Sequence, residues 1–335
     1  MIPTTKLLSY GTQVVVMKYM SFEKRQHFHL ISPSIRKMEA GLPYRFNKVS
    51  IDSNGDHYCL LTLDGTLDFG IRFNSNMKMS FLKYCKGTKV FKRARIDLPV
   101  SEVAERLALH YLNRPGTIVK HLELKQLPIS VLNLNPITVK HLKFVYCENP
   151  PKDYCTWIKT TRPVNELETN RVFRDDTMKN AEHVQIRRND LMRLLSMETI
   201  RIYPDILAEW NCMTLKVDED PTYQDILDYC RIIVTKSRPV GSTFRFPISQ
   251  RAEFALDSLK SVVGGRWTML NGKKCITLPI CDSTELNIHE IEESEKEKIE
   301  IRVDSKGTAA DKQEYNGDTT KPNCNPLKRR RAVKE

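Results

Sequence analysis

Apolar positions along residues 7–41 recur at helical spacing in three short bursts. Tyr10, Val14 and Met17 fall at i, i+4 and i+7, which predicts one face of a first helix ending near Met20. Ser21 is a capping residue for a second, in which Phe22, Arg25, Phe28 and Leu30 give a mostly apolar side. Ser32-Pro33 is a cap followed by a first-position proline, and Gly41 is a stop signal for the third helix. A unit this small buries little surface alone, so it is expected to pack on a partner or on the rest of the chain.

The pattern then changes period. Over residues 57–98 it reads as strands: Cys59-Leu60-Leu61-Thr62-Leu63, the turn Asp64-Gly65, and Thr66-Leu67-Asp68-Phe69 form a hairpin signal. A second hairpin is expected to turn at Gly87-Thr88. Ser101 is expected to cap a helix with Val103, Leu107 and Tyr111 on one face, stopped by Arg114-Pro115-Gly116.

Val119-Lys120-His121-Leu122-Glu123-Leu124 recurs as Val139-Lys140-His141-Leu142-Lys143-Phe144. An apolar-x-apolar triplet repeated at that spacing is the mark of a leucine-rich-repeat-like solenoid, where each repeat lays one strand beside the last. The beat continues more loosely through Val184-Gln185-Ile186, Ile200-Arg201-Ile202 and Leu215-Lys216-Val217, to about Asp218. Parallel strands of a non-repetitive α/β domain would give the same looser triplets.

Asp220-Pro221 restarts a helix with the stripe Ile226, Cys230, Ile233, and Ser242–Phe246 reads as a strand. Phe254, Leu256, Leu259 and Val262 predict another helix, ended by Gly264-Gly265, and Lys274–Pro279 reads as the last strand. From about Glu290 Glu and Lys alternate, and then Gly, Thr, Asn and Pro dominate, which predicts a disordered tail. The fold class is therefore α/β: a helical unit over residues 1–46, a β-rich segment with hairpins over 47–98, an irregular leucine-rich-repeat-like α/β domain over 99–289, and a tail over 290–335.

Composition narrows the function classes. The chain of 335 residues is long enough for a sizeable core. No apolar run approaches the roughly 20 residues of a membrane-spanning helix. Val14-Val15-Val16-Met17 is too short for a signal-peptide core, and there is no Asn-x-Ser/Thr sequon. A cytoplasmic or nuclear location is expected, without membrane association. The nine cysteines are odd in number and contain no Cys-x-x-Cys pair, so neither zinc nor a disulfide framework is indicated.

The formal net charge is +12, concentrated in residues 1–100. Lys83, Lys86, Lys89, Lys92, Arg93 and Arg95, interleaved with Phe81, Tyr84 and Phe91, form a basic ribbon that would hold phosphates and stack bases. In a hairpin the same alternation puts cations in water and aromatics in the core, with no ligand. Lys328-Arg329-Arg330-Arg331 is a candidate nuclear-localisation run. Catalytic patterns are lacking: there is no Walker loop, no Gly-x-Gly-x-x-Gly after a strand and no His-Glu-x-x-His. His27 and His29 would stand about 200° apart on a helix, a poor chelating geometry. Asp175-Asp176 and Glu292-Glu293 read as exposed acidic neighbours, and Gly264-Gly265 as the turn between a helix and a strand. No enzyme activity and no cofactor are expected.

Several segments in this order resemble the nematode F-box C protein family. Near the start these are Leu8-Ser9-Tyr10, Lys24-Arg25, Ser32-Pro33-Ser34-Ile35-Arg36 and Leu42-Pro43-Tyr44-Arg45-Phe46. Near the end Arg238-Pro239-Val240-Gly241-Ser242-Thr243-Phe244-Arg245-Phe246 and Cys275-Ile276-Thr277-Leu278-Pro279 are similar to the family's closing segments. F-boxes commonly open with Leu-Pro, whereas Leu8 here is followed by Ser9. The resemblance implies a substrate-receptor subunit of a cullin-type ubiquitin ligase. The helical unit would dock on a Skp-type adaptor, and the following domain would capture an unidentified target protein. Leu8, Val14, Met17, Met20, Ile31 and Ile35 are the candidates for the adaptor-facing or internal apolar surface. A nucleic-acid-binding protein using the Lys83–Arg95 stretch is the alternative.

Overall fold

A computed structural model describes residues 9–54, 58–65, 67–73, 79–85, 98–125, 135–145, 158, 164–169, 179–187, 209–218, 221–236, 238–247, 252–293 and 296–311. Within them the chain is a mixed α/β fold in which three short N-terminal helices precede a single 15-stranded sheet.

The N-terminal helices are α1 (Tyr10–Tyr19), α2 (Phe22–Ile31) and α3 (Pro33–Ala40). Serine caps each one: the hydroxyls of Ser9, Ser21 and Ser32 accept hydrogen bonds from the first-turn amides of Thr12, Lys24 and Ile35. Ser32 also precedes Pro33, whose missing amide hydrogen costs nothing at a first helical position. The two expected caps stand, and Ser9 adds a third.

Strands β1 (Arg45–Asn54), β2 (Tyr58–Leu63), β3 (Leu67–Phe73) and β4 (Met79–Cys85) form an antiparallel arm. Asp64 and Gly65, at φ 53° and 63°, are both left-handed, as the Asp-Gly signal requires, but Leu63 pairs with Leu67, so the connection is one residue longer than the expected tight turn. Asp64 also clips the turn to β1, its carboxylate accepting from the amides of Asn47 (2.6 Å) and Lys48 (2.9 Å). The hairpin expected at Gly87-Thr88 lies outside the described residues. Helix α4 (Val100–Leu112) follows with Val103 and Tyr111 buried. Its N-cap is Pro99, without a side-chain hydrogen bond, so Ser101 sits inside the first turn rather than capping it.

A parallel run comes next: β5 (Ile118–Lys125), β6 (Thr138–Val145), β7 (Glu166–Thr169), β8 (His183–Ile186), β9 (Thr214–Val217) and β10 (Thr243–Pro247). Strand β5 pairs with β1, and each later strand joins the one before it, always parallel. Between β9 and β10 runs α5 (Tyr223–Thr235), closed at its start by a capping box of Thr222 and Asp225. Its stripe Ile226, Cys230 and Ile233 is buried as the periodicity requires.

One buried pattern is common to β1 and to β5 through β9 with the residues just before them: an inward residue, two outward ones, then inward, outward, inward, whereas β10 alternates, with Ser242, Phe244 and Phe246 inward. Phe46/Val49/Ile51 begin it, followed by Val119/Leu122/Leu124, Val139/Leu142/Phe144, Val164/Leu167/Thr169, Ala181/Val184/Ile186 and Cys212/Leu215/Val217. Equivalent positions lie side by side, as in Val119 beside Val139 and Leu122 beside Leu142. A parallel ladder that stacks like on like gives most inward residues apolar neighbours on both flanks, Thr169 being the polar exception, and the core grows by one layer per strand. The core is continuous from Phe22 to Val303, so the helical unit and the sheet share it. Ile200–Ile202, an expected triplet, lies outside the described residues.

After β10 come α6 (Ala252–Val263) and a second antiparallel arm, β11 (Arg266–Leu270), β12 (Lys273–Pro279), β13 (Thr284–Glu293), β14 (Lys296–Ser305) and β15 (Ala310–Asp311). Two expectations fail here. The Lys274–Pro279 strand is not the last, and a tail does not begin at Glu290. The stretch with alternating Glu and Lys also carries Ile299, Ile301 and Val303 at every second position, and these are fully buried in β14. Period two outweighs a polar composition once one face is covered. Strand β14 then pairs with β10 and joins the arm to the parallel run.

Candidate functional site

Two surfaces can carry function. The first is the open face of the parallel run, built by the outward residues of the ladder. It holds a groove of about 630 Å3 lined by Lys48, His121, Glu123, His141, Lys143, Glu166, Glu168, His183, Gln185 and Lys216, among others. Register makes rows of these side chains, one row running Lys48, His121, His141, Glu166, His183 across adjacent strands. The imidazole of His141 meets Glu166 Oε2 at 2.8 Å through Nδ1.

Most charges on this face are paired across strands. Lys48 meets Glu123 (3.0 Å), and Lys143 (2.8 Å) and Arg187 (3.2 Å) share Glu168. Burial tends to raise the Glu123 carboxyl, but the hydrogen bond from Lys48 together with the charges of Lys48, Lys125 and Lys143 outweighs it, and the net shift is downward. Farther along, Glu293 accepts from Lys216 (2.8 Å), Lys298 (3.1 Å) and Arg245 (3.4 Å). The hydrogen bond from Lys216 first, then that from Lys298, bring its carboxyl to about 2. The sequence reading of Glu293 as a merely exposed acidic neighbour is therefore corrected: at the end of β13 it meets cations from β9, β10 and β14.

The second surface is helix α1 with the end of α2. Tyr10, Val15 and Tyr19 of α1 are 69, 53 and 75 % exposed, Val16 is also exposed, and Ile31 is 61 % exposed. Of the apolar residues expected to act here, Met17 points inward and is buried, Val14, Met20 and Ile35 are half-buried, and Ile31 faces solvent. Leu8 lies outside the described residues. The exposed positions missed by the helical-face reading are legible as Val14-Val15-Val16, since three successive residues cannot share one face of a helix.

Behind that surface a buried ionic clamp holds the helices to the sheet. Glu39, fully buried, receives Arg25 at 2.9 Å and Arg114 at 2.8 Å on the same oxygen. Both guanidinium groups also lie over the ring of Tyr44, 4.4 and 4.0 Å from its centre. Arg25 further donates to the carbonyl of Pro43 (2.6 Å), and His29 Nδ1 reaches the second oxygen of Glu39 (3.2 Å). Burial alone would raise the Glu39 carboxyl. The hydrogen bonds and charges around it, with Arg114 foremost, hold it below its ordinary value. Phe22 of α2 packs among Tyr44, Phe46 and Tyr111 with ring centres 5.0–5.7 Å apart.

Lys83 lies in β4 opposite Phe69. Lys86, Lys89, Lys92, Arg93 and Arg95 lie outside the described residues, as do Lys328, Arg329, Arg330 and Arg331. Among the described residues no cluster of His, Cys, Asp and Glu is placed to hold a metal ion, and no helix is long and apolar enough to cross a membrane. Compared with known proteins, the chain matches no family model, no curated protein and no solved structure.

Proposed function

We propose that this chain is a substrate receptor of a cullin-type ubiquitin ligase: α1–α3 as an F-box-like unit docking on a Skp-type adaptor, and the parallel run as an irregular leucine-rich-repeat-like capture domain. The observation that carries the reading is the exposed apolar set Val15, Val16 and Tyr19 on one face of α1, with Tyr10 and Ile31 also exposed on a helical unit anchored in the core. Exposed large apolar groups gathered on one small unit mark an interaction surface, and amphipathic helices commonly supply such anchors. The ladder of inward residues at x-x-apolar-x-apolar spacing supports the leucine-rich-repeat-like description, because that spacing is the strand portion of such repeats. A receptor of this kind holds two proteins together and performs no bond chemistry itself.

The test is capture of purified Skp-type adaptor by the full chain and by a Val15→Asp/Tyr19→Asp variant. Both side chains face solvent, so the fold survives while a charge enters the docking surface. Wild-type capture lost in the variant supports the reading. Absence of wild-type capture, or capture undiminished in the variant, overturns it.

A further inference from the structure

The repeated Val-Lys-His-Leu sequence does more than continue a strand. Because Val119 pairs beside Val139 and His121 beside His141, the repeat doubles a polar pair laterally: Lys120 next to Lys140, His121 next to His141. Both lysines and His121 are exposed. The two imidazoles stack at 4.4 Å, and Lys48 flanks His121 on β1. Elsewhere on this face cations are matched by carboxylates. Here no carboxylate among the described residues pairs with Lys120 or Lys140, and Glu166 serves His141. The cationic surroundings register on His121. Partial burial and then His141 and Lys120 hold its imidazole below the ordinary value, against only the opposing pull of Glu166.

We propose that the block Lys120, His121, Lys140 and His141 is the anchor point for an acidic peptide segment of the captured protein. This deepens the receptor reading and rests on the open face being its capture surface, not on adaptor docking. Charge complementarity selects the occupant: Lys120 and Lys140 adjoin the groove residues His121 and His141 in sequence, and no carboxylate among the described residues pairs with either lysine. A nucleic acid fits less well, because its continuing phosphate backbone would run onto Glu123, Glu166 and Glu168 in the same groove. A peptide needs an acidic side chain only at the block, and its neutral or basic residues suit the mixed charges beyond. Carboxylate and phosphorylated side chains share the required chemistry.

The experiment measures fluorescence anisotropy of a labelled Glu-rich peptide with the full chain across a salt series. Parallel arms use the same peptide carrying phosphoserine, a Lys-rich peptide, and a single-stranded oligonucleotide of matching charge. The variant is Lys120→Gln/Lys140→Gln, and Lys236→Gln/Lys306→Gln is the control with equal charge loss at exposed sites away from the groove. Acidic peptide binding should weaken about tenfold in the first variant and stay unchanged in the control. Tighter binding of the phosphoserine peptide assigns the source to phosphorylated segments, and equal binding assigns it to carboxylates. The proposal is overturned by no acidic-peptide binding, by equal loss in both variants, or by an oligonucleotide that binds more tightly than either acidic peptide through the same lysines. Adaptor capture by the Lys120→Gln/Lys140→Gln variant, read separately, tells a failure here from a failure of the receptor reading.

Discussion

The imidazoles of His121 and His141 lie ring over ring, their centres 4.4 Å apart and their planes 18° from parallel. They meet because identical sequences occupy adjacent parallel strands in register, so each residue of one repeat faces its own counterpart. The nearby His141 ring is one of the groups that oppose a charge on His121.

The folded chain should bind the His121 proton less readily than the unfolded chain, because burial, His141 and Lys120 all act against the charged form. Above the unfolded value of about 6.5 both states are neutral and nothing is lost. As pH falls through that value stability declines, and the loss is complete once the folded group also titrates. An NMR titration is expected to place the His121 midpoint below that of a histidine peptide, and to raise it in Lys120→Gln. A midpoint at or above the peptide value would refute this account.

Removing Glu39 strands two guanidinium groups in the core. Glu39→Ala is expected to cost about 3–5 kcal/mol in denaturant unfolding, the range for breaking one partner of a buried ion pair. Since the folded carboxyl is held below its ordinary value, its contribution is full above the ordinary carboxylate range and fades as pH falls through the folded value. The difference in stability between wild type and the variant should therefore shrink on acidification. A difference that stays constant down to strongly acidic pH would contradict the ionic account.

Cys281 stands apart from the other described cysteines. It is exposed, and hydrogen bonding with Ser283 and Thr284 brings its thiol to about 7. Burial pushes Cys59 and Cys230 up to about 12 and Cys212 and Cys275 up to about 11. Alkylation of the native protein at neutral pH, read by peptide mass spectrometry, should label Cys281 well before those four, as thiolate fraction and access both dictate. Comparable labelling of Cys275 would show that the second arm opens in solution.

Gly265 joins α6 to β11 where no side chain fits. A Cβ there would stand 2.5 Å from Ile276 Cγ2 and 3.1 Å from the carbonyl oxygen of Thr277. Gly265→Ala should destabilise the fold by about 1–3 kcal/mol, the usual cost of overpacking. Thermal melting measures it, with Gly11→Ala as the comparison, because a Cβ at Gly11 meets nothing within 4 Å.

The sequence disclosed what depends on near neighbours. Ser21, Ser32-Pro33 and Asp64-Gly65 mark their caps and turn because each acts within a few residues, and the exact repeat at Lys120 and Lys140 disclosed the pairing of β5 with β6. Strand β7 escaped notice since its last inward position is Thr169, buried but polar, and its outward residues are acidic. The clamp was invisible for another reason: Glu39 and Arg114 are 75 positions apart, and only the folded sheet brings them together. Glu293 was misjudged similarly, because Lys216 reaches it across 77 positions.

Equivalent rungs from β1 to β10 differ in the length of chain between them but not in their lateral step. Each added strand lengthens the open face by about 4.8 Å and leaves the arms at either end unchanged. The ladder thus works as a ruler: gain or loss of one rung alters the span available to a bound partner without touching the helices clamped beside β1. Under the proposed receptor reading, the span of the capture face and the geometry of adaptor docking would then change independently.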